Sequence, residues 1–584
     1  MATEETSPEF EQVSRTKGVL FEYLSLGASV IGLIALAVLL IYVFVDAFDL
    51  AEASPEWLLA YFLTLVLPFV GFCLYSAKSR ELARNTAIAL GGGLVGTAVV
   101  FTAVETFVGT VPRLSWQLVY LFVVVTPVTA YVTFVGSQRP AGKAGFGLLG
   151  RLLGGAALGL ALVVLFLVFD ARLWFLAYTF GVFPAAVVFL YGRFRPDSRV
   201  SMAAVPLAVV GFVAATVVRQ TLNVYPTTFI IYVWTLVVPV AAAVGAVTYR
   251  RRGRTVGVVI GLLTLAIAAG GGFASGMVGQ PMAKATLVLL TASAPTITFV
   301  DRVFEKRDGQ EGLLLPLLLI GGALAGAAIV SAWGVPRPDP WLDPSFVTSA
   351  PSRNAVEAGL YPAIVGSVLI IAIVAILSFV LGVGTAVFLE EYTSDTGIIG
   401  ALTRLVQVNI ANLAAVPSVV YGLLGLGLFA NLLGFGFGTA VTAGITLSLL
   451  ILPITIISAQ EAIRSIPDDM RRGSDAMGAT RWQTTKNIVL PEALPGILTG
   501  TILALGRAIG ETAPLIMVGA ATTVFSPPSS IWGKVSAMPM QIYAWANYPQ
   551  DEFRYGVVAA GVVTLLIVLL GMNATAIVIR NKAE

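Results

Sequence analysis

An arginine and a glutamate one helical turn apart occupy a segment that is expected to cross a membrane. The sequence reads G-R-A-I-G-E-T-A-P-L at 506–515, which places Arg507 and Glu511 inside the otherwise apolar stretch 494–518. Arg507 lies about thirteen residues into this stretch, near its middle. An ionised side chain at the bilayer centre costs at least ~3 kcal/mol on insertion scales, so such groups usually face a bundle interior or an aqueous path.

A guanidinium at that depth could bind a dehydrating oxyanion. Its parallel N–H donors form a fork that can replace the water lost by a phosphate-like anion. Glu511 lies four residues on, on the same face of the predicted helix, where it could orient the guanidinium or favour release of the anion. The competing interpretation is a structural ion pair, although arginine before glutamate is the weaker order for such a pair.

The composition indicates that lipid surrounds most of the chain. Hydrophobic residues make up 57% of the 584 residues and charged residues only 11%, whereas soluble domains carry ~25% charged residues. Histidine is absent and Cys73 is the only cysteine, so the sequence predicts no metal site, no disulfide and no catalytic residue. No cofactor site and no nucleic-acid partner are expected. The polar, acidic N-terminus at 1–18 does not resemble a cleaved signal peptide.

About sixteen segments are long enough to span a bilayer, from 26–47 to 557–579. They include the spans 406–429 and 494–518. The five loops that follow the even-numbered spans among the first ten hold sixteen Lys and Arg residues, against four in the alternate loops. Because basic loops stay in the cytoplasm, this asymmetry predicts a multi-pass protein of the cell membrane with both termini cytoplasmic.

The first half repeats itself. Each even-numbered span carries one proline at near-constant spacing, followed by a basic loop: Pro68, Pro127, Pro184, Pro239 and Pro295. Such periodicity predicts five tandem helical hairpins within 1–312. A transmembrane proline is expected to kink its helix. A packing scaffold is the simpler interpretation of this half, and a transport or sensing module is the alternative.

A long polar loop, 459–493, interrupts the second half. Pro467 followed by two aspartates predicts a helix start, Gly478 a left-handed stop, and Thr480 the cap of a second helix that ends at Pro491. Exposed Arg471, Arg472, Arg481 and Trp482 favour a docking element over a mere connector. The sequence therefore predicts a helix–glycine–helix hairpin presented to a cytoplasmic partner.

The segment G-A-T-R-W-Q-T-T-K-N-I-V-L-P at 478–491 resembles the signature of binding-protein-dependent ABC importer permeases. The family pattern is E-A-A-x-x-x-G followed by I-x-L-P, and here Arg472-Gly473-Ser474 replace E-A-A. The segments 359–370, 411–429, 494–515 and 538–546 are similar to the PstA-type permeases of phosphate importers. This resemblance covers about 313–584 and leaves the repeated half outside it.

The resemblance implies a fold, partners and site residues. The fold is an all-α integral membrane protein, with a six-helix permease domain at 313–584 preceded by an extension of about ten helices at 1–312. The implied partners are a cytoplasmic ATPase dimer, a second homologous permease subunit and an external phosphate-binding protein, and the chain itself is not an enzyme. The implied anion path comprises Arg507, Glu511, Thr512, Asn412 and Ser418. The implied ATPase contacts are Arg472, Gly478, Ala479, Thr480, Arg481, Trp482, Ile488, Leu490 and Pro491.

Three other functions remain open at this point. Sulfate or molybdate makes similar demands on an arginine, so either anion could replace phosphate. An ion-coupled secondary transporter could use Glu511 as a proton site. A membrane sensor or scaffold could have the ten-span extension as its main working part.

Overall fold

The computed structural model describes residues 15–168, 170–194, 202–222, 224–393, 396–520 and 523–583. The first ten long helices are α1 (Arg15–Ala47), α2 (Pro55–Ala77), α3 (Arg80–Val108), α4 (Arg113–Ser137), α5 (Pro140–Val168), α6 (Ala171–Gly192), α7 (Ala204–Thr221), α8 (Thr228–Arg252), α9 (Arg254–Met277) and α10 (Met282–Lys306). The predicted polar N-terminus before residue 15 and most of the basic loop at 192–199 lie outside the described residues.

The second half continues the helical fold. Its helices are α11 (Gln310–Trp333), α12 (Tyr361–Tyr392), α13 (Gly397–Ala414), α14 (Ser418–Leu432), α15 (Ala440–Arg464), α16 (Asp468–Ala476), α17 (Arg481–Ile509), α18 (Ala513–Met517), α19 (Met538–Ala546) and α20 (Val558–Ala583). Within the described residues, fifteen helices are long and apolar enough to cross a membrane, or sixteen with the bent pair α13–α14 counted as one span. The all-helical, multi-span prediction is confirmed.

Two predicted spans are wrong as continuous helices. The span 406–429 is broken after Ala414, where the chain bends by 107° before α14 begins at Ser418. The span 494–518 ends as a helix at Ile509, and the short α18 follows it. Hydropathy alone missed both breaks because an apolar segment keeps its hydropathy whether or not its helix continues. Arg507 therefore lies in the last turn of α17 and not in the middle of a helix.

Proline shapes the repeated half through widened turns. A π-helical segment ends two residues before four of the repeat prolines, at Phe62–Val66, Leu121–Val125, Ala177–Val182 and Val233–Val237. Proline lacks an N–H and its ring clashes with the carbonyl four residues back, and a wider turn accommodates both defects. The fifth repeat differs, because Pro295 lies inside an α-helix that the structure describes without such a segment.

A π-helical segment also precedes a proline in α17, at Pro491. The sequence predicted that the helix capped by Thr480 would end at Pro491, and this prediction is wrong. A π-helical segment, Thr485–Val489, ends two residues before Pro491, and the helix continues to Ile509. The second helix of the hairpin and the span that carries Arg507 therefore form one continuous rod.

The tightest packing lies in the second half. In α15, 72% of the most apolar stretch is buried, whereas none of the first ten spans exceeds 28%. The fully buried Leu447 and Ile451 of α15 belong to one core with Trp545 and Phe553. This core joins α12, α15, α17, α19 and α20. The helices of the second half thus supply a firm frame around the two breaks.

Helices of the first half contact the second half at several places, among them α1 against α20, α2 against α11, and α5 against α12 and α20. Ala47 of α1 packs against Ala559 and Val563 of α20, and its carbonyl accepts a 3.0 Å hydrogen bond from the Leu342 amide. Helix α11 lies against α2, where a Cβ at Gly322 would come within 2.3 Å of the Thr64 carbonyl oxygen. Within the extension, α5 packs most extensively against α10, and α8 against α9.

Candidate functional site

The first break exposes the beginning of a helix inside the protein's second half. Asn412 lies exposed in the last turn of α13, and Ser418 is the half-buried first residue of α14. Pro417 at the N-cap has no side-chain donor or acceptor, so the first backbone N–H groups of α14 have no cap from it. The Tyr421 hydroxyl donates a 2.8 Å hydrogen bond to the Leu413 carbonyl and ties α14 to α13 across the bend.

The second break follows the arginine. Arg507 lies in the last turn of α17, and Glu511 and Thr512 belong to the link before α18. The Arg507 Nε donates a 3.3 Å hydrogen bond to Glu511 Oε1. The arginine side chain is 50% exposed and the glutamate side chain 18% exposed, and among the described residues Glu511 is the only ion-pair partner of this half-exposed guanidinium.

The helices that follow the two breaks pack against each other. A Cβ at Gly422 of α14 would lie 2.8 Å from the Pro514 Cα and 2.6 Å from the Met517 Cβ, both in α18. Helices α14 and α18 can approach this closely because Gly422 has no side chain. The predicted site residues lie at the two breaks, Asn412 and Ser418 at the first and Arg507, Glu511 and Thr512 at the second. The contact between α14 and α18 connects these two breaks.

The arginine lies at depth although its helix ends beside it. Gly506 faces Leu569 and Asn573, so that a Cβ at Gly506 would be 3.7 Å from the Leu569 Cδ1 and 3.8 Å from the Asn573 Oδ1. Both residues lie well inside α20 and far from its first residue, Val558. Arg507 is therefore level with the interior of a neighbouring span.

The hairpin between α15 and α17 has the predicted ends. Helix α16 begins at Asp468 with Pro467 as its N-cap, and Gly478 has a left-handed φ of +80°. The Thr480 hydroxyl accepts a hydrogen bond from the Gln483 amide, and the Gln483 side chain accepts one from the Thr480 amide. This capping box fixes the start of α17, so these three predictions of helix ends are confirmed.

The predicted contact residues divide by exposure. Six of them are exposed: Arg472, Gly478, Thr480, Arg481, Trp482 and Pro491. The other three are half-buried: Ala479, Ile488 and Leu490. Trp482 is 58% exposed and Met477 83% exposed, so the tip of the hairpin presents apolar surface beside its arginines. The predicted exposure of Arg471 is wrong, because only 21% of its side chain is exposed.

The second half of the chain matches a known protein family. The family model of the binding-protein-dependent transport system inner membrane component matches residues 382–583. The phosphate transport system permease protein PstA 1 of Mycobacterium tuberculosis is 32% identical over 271 residues, which cover 46% of this chain and 84% of that protein. The chain belongs to this family of transport permeases.

Other proteins match a smaller share of this chain. PstA of Mycobacterium leprae is 35% identical over 37% of this chain and 68% of its own length. The probable ABC transporter permease YqgI of Bacillus subtilis is 36% identical over 30% of this chain and 59% of its own length. An inward-facing structure of the MetNI methionine ABC transporter is 20% identical over 38% of this chain and 97% of that chain, with a TM-score of 0.32. The PstA relatives show that this chain is a PstA-type ABC importer permease, and it has many additional membrane helices.

In this permease, Arg471 fastens the hairpin to the membrane helices. Its Nε and Nη2 donate to one carboxylate oxygen of Glu391 at 3.2 and 3.1 Å. Nη1 donates to the Ile466 carbonyl at 2.6 Å, and Nη2 to the Ile463 carbonyl at 2.9 Å. A single guanidinium thus joins the end of α12, the end of α15 and the first turn of α16, since Asp468 also accepts from Nη1 at 3.3 Å.

A second carboxylate reinforces this attachment. Glu390 accepts two hydrogen bonds from Arg464, at 2.8 and 2.7 Å, and one from the Gln460 side chain at 2.6 Å. Sequence reasoning missed Glu390, Glu391 and Arg464. The available signal was the E-E pair at the end of an apolar span, a position where hydropathy patterns normally predict only a helix end.

Proposed function

We propose that this chain is the permease subunit that carries inorganic phosphate through an ATP-driven, binding-protein-dependent importer. The permease domain at 313–584 forms one wall of the path, and a second homologous permease subunit forms the other. An external phosphate-binding protein delivers the anion, and a separate cytoplasmic ATPase dimer binds the hairpin at 459–493. The helices of 1–312 form an extension to this core.

One observation carries the choice of an anion as substrate. Arg507 is half-exposed beside a helix break, level with the interior of α20, and a single carboxylate orients it. An arginine sealed in a helix contact could not meet a substrate, whereas a half-exposed one can present its remaining donors to a passing oxyanion. The N-terminus of α14, which has no side-chain cap, adds the positive end of a helix dipole at the other break.

The same side of the membrane holds the basic loops and the hairpin. The Arg464–Glu390 ion pair joins the end of α15 to the end of α12, so both ends lie on one side. With each broken pair counted as one crossing, this side is also the side of the basic loops. We therefore assign the hairpin and both termini to the cytoplasm and the segment 519–551 to the outside.

Phosphate uptake by cells that carry Arg507→Ala tests the proposal. Loss of one charge-assisted hydrogen bond costs ~1.5–3 kcal/mol, so we expect uptake to fall by at least about tenfold, with Arg507→Lys in between. The matched control is Arg219→Ala, because Arg219 also pairs with one carboxylate, at 3.4 Å with 53% of its side chain exposed, in the extension. Unchanged uptake in Arg507→Ala would refute the proposal and favour a sensor or scaffold.

Two further measurements separate the alternative transport functions. Competition of phosphate uptake by sulfate and molybdate tests the choice of oxyanion, since strong competition by either would overturn the phosphate assignment. Uptake in cells whose partner ATPase is catalytically inactive tests the energy source. Uptake that persists without ATP hydrolysis and follows an ion gradient would indicate a secondary transporter with Glu511 as its proton site.

A further inference from the structure

The extension contains an apolar groove that the proposed phosphate path does not use. The groove lies between α8 and α9, encloses about 450 Å³ and is lined almost entirely by apolar groups, among them Ala242, Ala246 and Leu262. At its floor the two helices approach closely, because a Cβ at Gly245 would lie 3.0 Å from the Gly257 carbonyl oxygen. The lining residues Ala242 and Ala246 are exposed, so the groove is open along its length.

The groove has the length of a lipid chain within one leaflet. Its lining on α8 extends from Val238 to Tyr249. At 1.5 Å per residue this corresponds to about 16 Å, roughly half of the ~30 Å hydrocarbon core of a bilayer. An apolar groove of this length within the membrane suits an acyl chain and offers nothing to a free ion.

Arginines follow directly in the chain after the end of the groove that lies at Tyr249. The chain continues from Tyr249 as R-R-R-G-R, so that four arginines fall within five residues at 250–254. Arg252 is already paired, at 2.6 Å, with Asp301 of α10. Arg250, Arg251 and Arg254 are exposed, and in the part of the chain that the structure describes no carboxylate forms an ion pair with them.

We propose that this groove is a binding site for one anionic phospholipid, with an acyl chain between α8 and α9 and the phosphate head group at Arg250, Arg251 and Arg254. The apolar groove and the unpaired guanidinium groups match the two ends of such a molecule. The positive-inside rule alone explains basic residues at this end of α8. It does not explain a groove that leads to them, and it predicts no preference for a particular lipid at this place.

Lipid binding to the full-length chain, purified with its partner subunits, tests this site. Retained phosphatidylglycerol and phosphatidylcholine are counted by native mass spectrometry after exchange into vesicles of each lipid. We expect the unmodified protein to prefer phosphatidylglycerol about tenfold at one site, and the triple variant Arg250→Gln, Arg251→Gln, Arg254→Gln to lose that preference. The triple variant Lys78→Gln, Arg80→Gln, Arg84→Gln removes the same charge from another basic loop and should keep it.

A second pair of variants tests the groove itself. Ala246→Leu fills the groove and should abolish retention of the lipid, whereas Ala243→Leu, at an exposed position of α8 outside the lining, should leave it unchanged. Equal loss in both triple variants, or equal retention by Ala246→Leu and Ala243→Leu, would overturn the proposal. Displacement of the lipid by inorganic phosphate at millimolar concentration would also overturn it, because the head-group site would then be a free-anion site.

Discussion

The attachment of the hairpin through Arg471 makes a quantitative prediction about Glu391. The substitution Glu391→Gln keeps the shape of the side chain and removes its charge. Both partners are largely buried, with 21% of the Arg471 side chain and 12% of the Glu391 side chain exposed. Breaking a fully buried ion pair costs ~3–5 kcal/mol, and a hydrogen bond to a charged group contributes ~1.5–3 kcal/mol.

The smaller of these two ranges applies to Arg471. Its guanidinium keeps its hydrogen bonds to the carbonyls of Ile463 and Ile466, at 2.9 and 2.6 Å, when the charge of Glu391 is removed. We therefore expect Glu391→Gln to destabilise the attachment of the hairpin to the membrane helices by ~1.5–3 kcal/mol. Since ~1.4 kcal/mol corresponds to a factor of ten in an equilibrium constant, local opening should increase about 10- to 100-fold.

Hydrogen exchange of the backbone amides of α16 in the assembled transporter measures this opening. The matched control is Asp468→Asn, which removes the other carboxylate at Arg471. That carboxylate is 78% exposed at 3.3 Å, so its loss should change exchange by less than about fivefold. In the same samples, Glu391→Gln should lower phosphate uptake per ATP hydrolysed, because a loosened hairpin transmits less movement. Equal exchange in the two variants would refute the reasoning.

Three other substitutions test separate parts of the structure. Gly422→Leu should abolish transport while the chain still inserts in the membrane, because a Cβ there would lie 2.6 Å from the Met517 Cβ; uptake and surface labelling measure this. Thr480→Ala removes a capping box and should destabilise the start of α17 by ~1 kcal/mol, measured by hydrogen exchange. Burial, and after it the neighbouring carboxylates, raise the pKa of Asp49. The stability of the folded state therefore falls as the pH rises through that pKa. Asp49→Asn should raise the unfolding temperature at neutral pH.

Each of these substitutions has a control within the chain. Gly427→Leu, also in α14, should leave uptake intact because nothing lies within 4 Å of a Cβ at that position. Thr480→Ser keeps the capping hydroxyl and should retain the stability of the helix start. Asp49→Glu keeps a titratable carboxylate and should keep the pH dependence. A control that behaves like its test variant would contradict the corresponding explanation.

Local signals in the sequence predicted the hairpin well because caps depend on neighbouring residues only. Pro467, Gly478 and Thr480 specify helix ends through their own backbone geometry and hydrogen bonds, and the structure has those ends. Pro491 misled the same reasoning, because a proline terminates an α-helical pattern but not a helix that widens before it. Propensity rules do not predict whether a helix widens before a proline or ends there.

Non-local features of the site could not be predicted in this way. Glu391 and Arg471 are eighty residues apart in the chain, and only the packing of α12 beside α15 brings them together. The depth of Arg507 was inferred from a continuous span that does not exist. Its position beside the interior of α20 depends on how α17 and α20 pack, and no pattern within 494–518 contains that information.

The end of α17 changes what Arg507 can contribute. In an uninterrupted helix the guanidinium would lie against a backbone whose polar groups are already paired. At the last turn, the negative end of the helix dipole stabilises its positive charge, and Glu511 orients it. Helix α14 begins at the other break without a side-chain N-cap, and the positive end of its dipole favours negative charge. In the proposed anion path, these two helix ends of opposite polarity would hold the arginine when the path is empty and still favour an anion beside it.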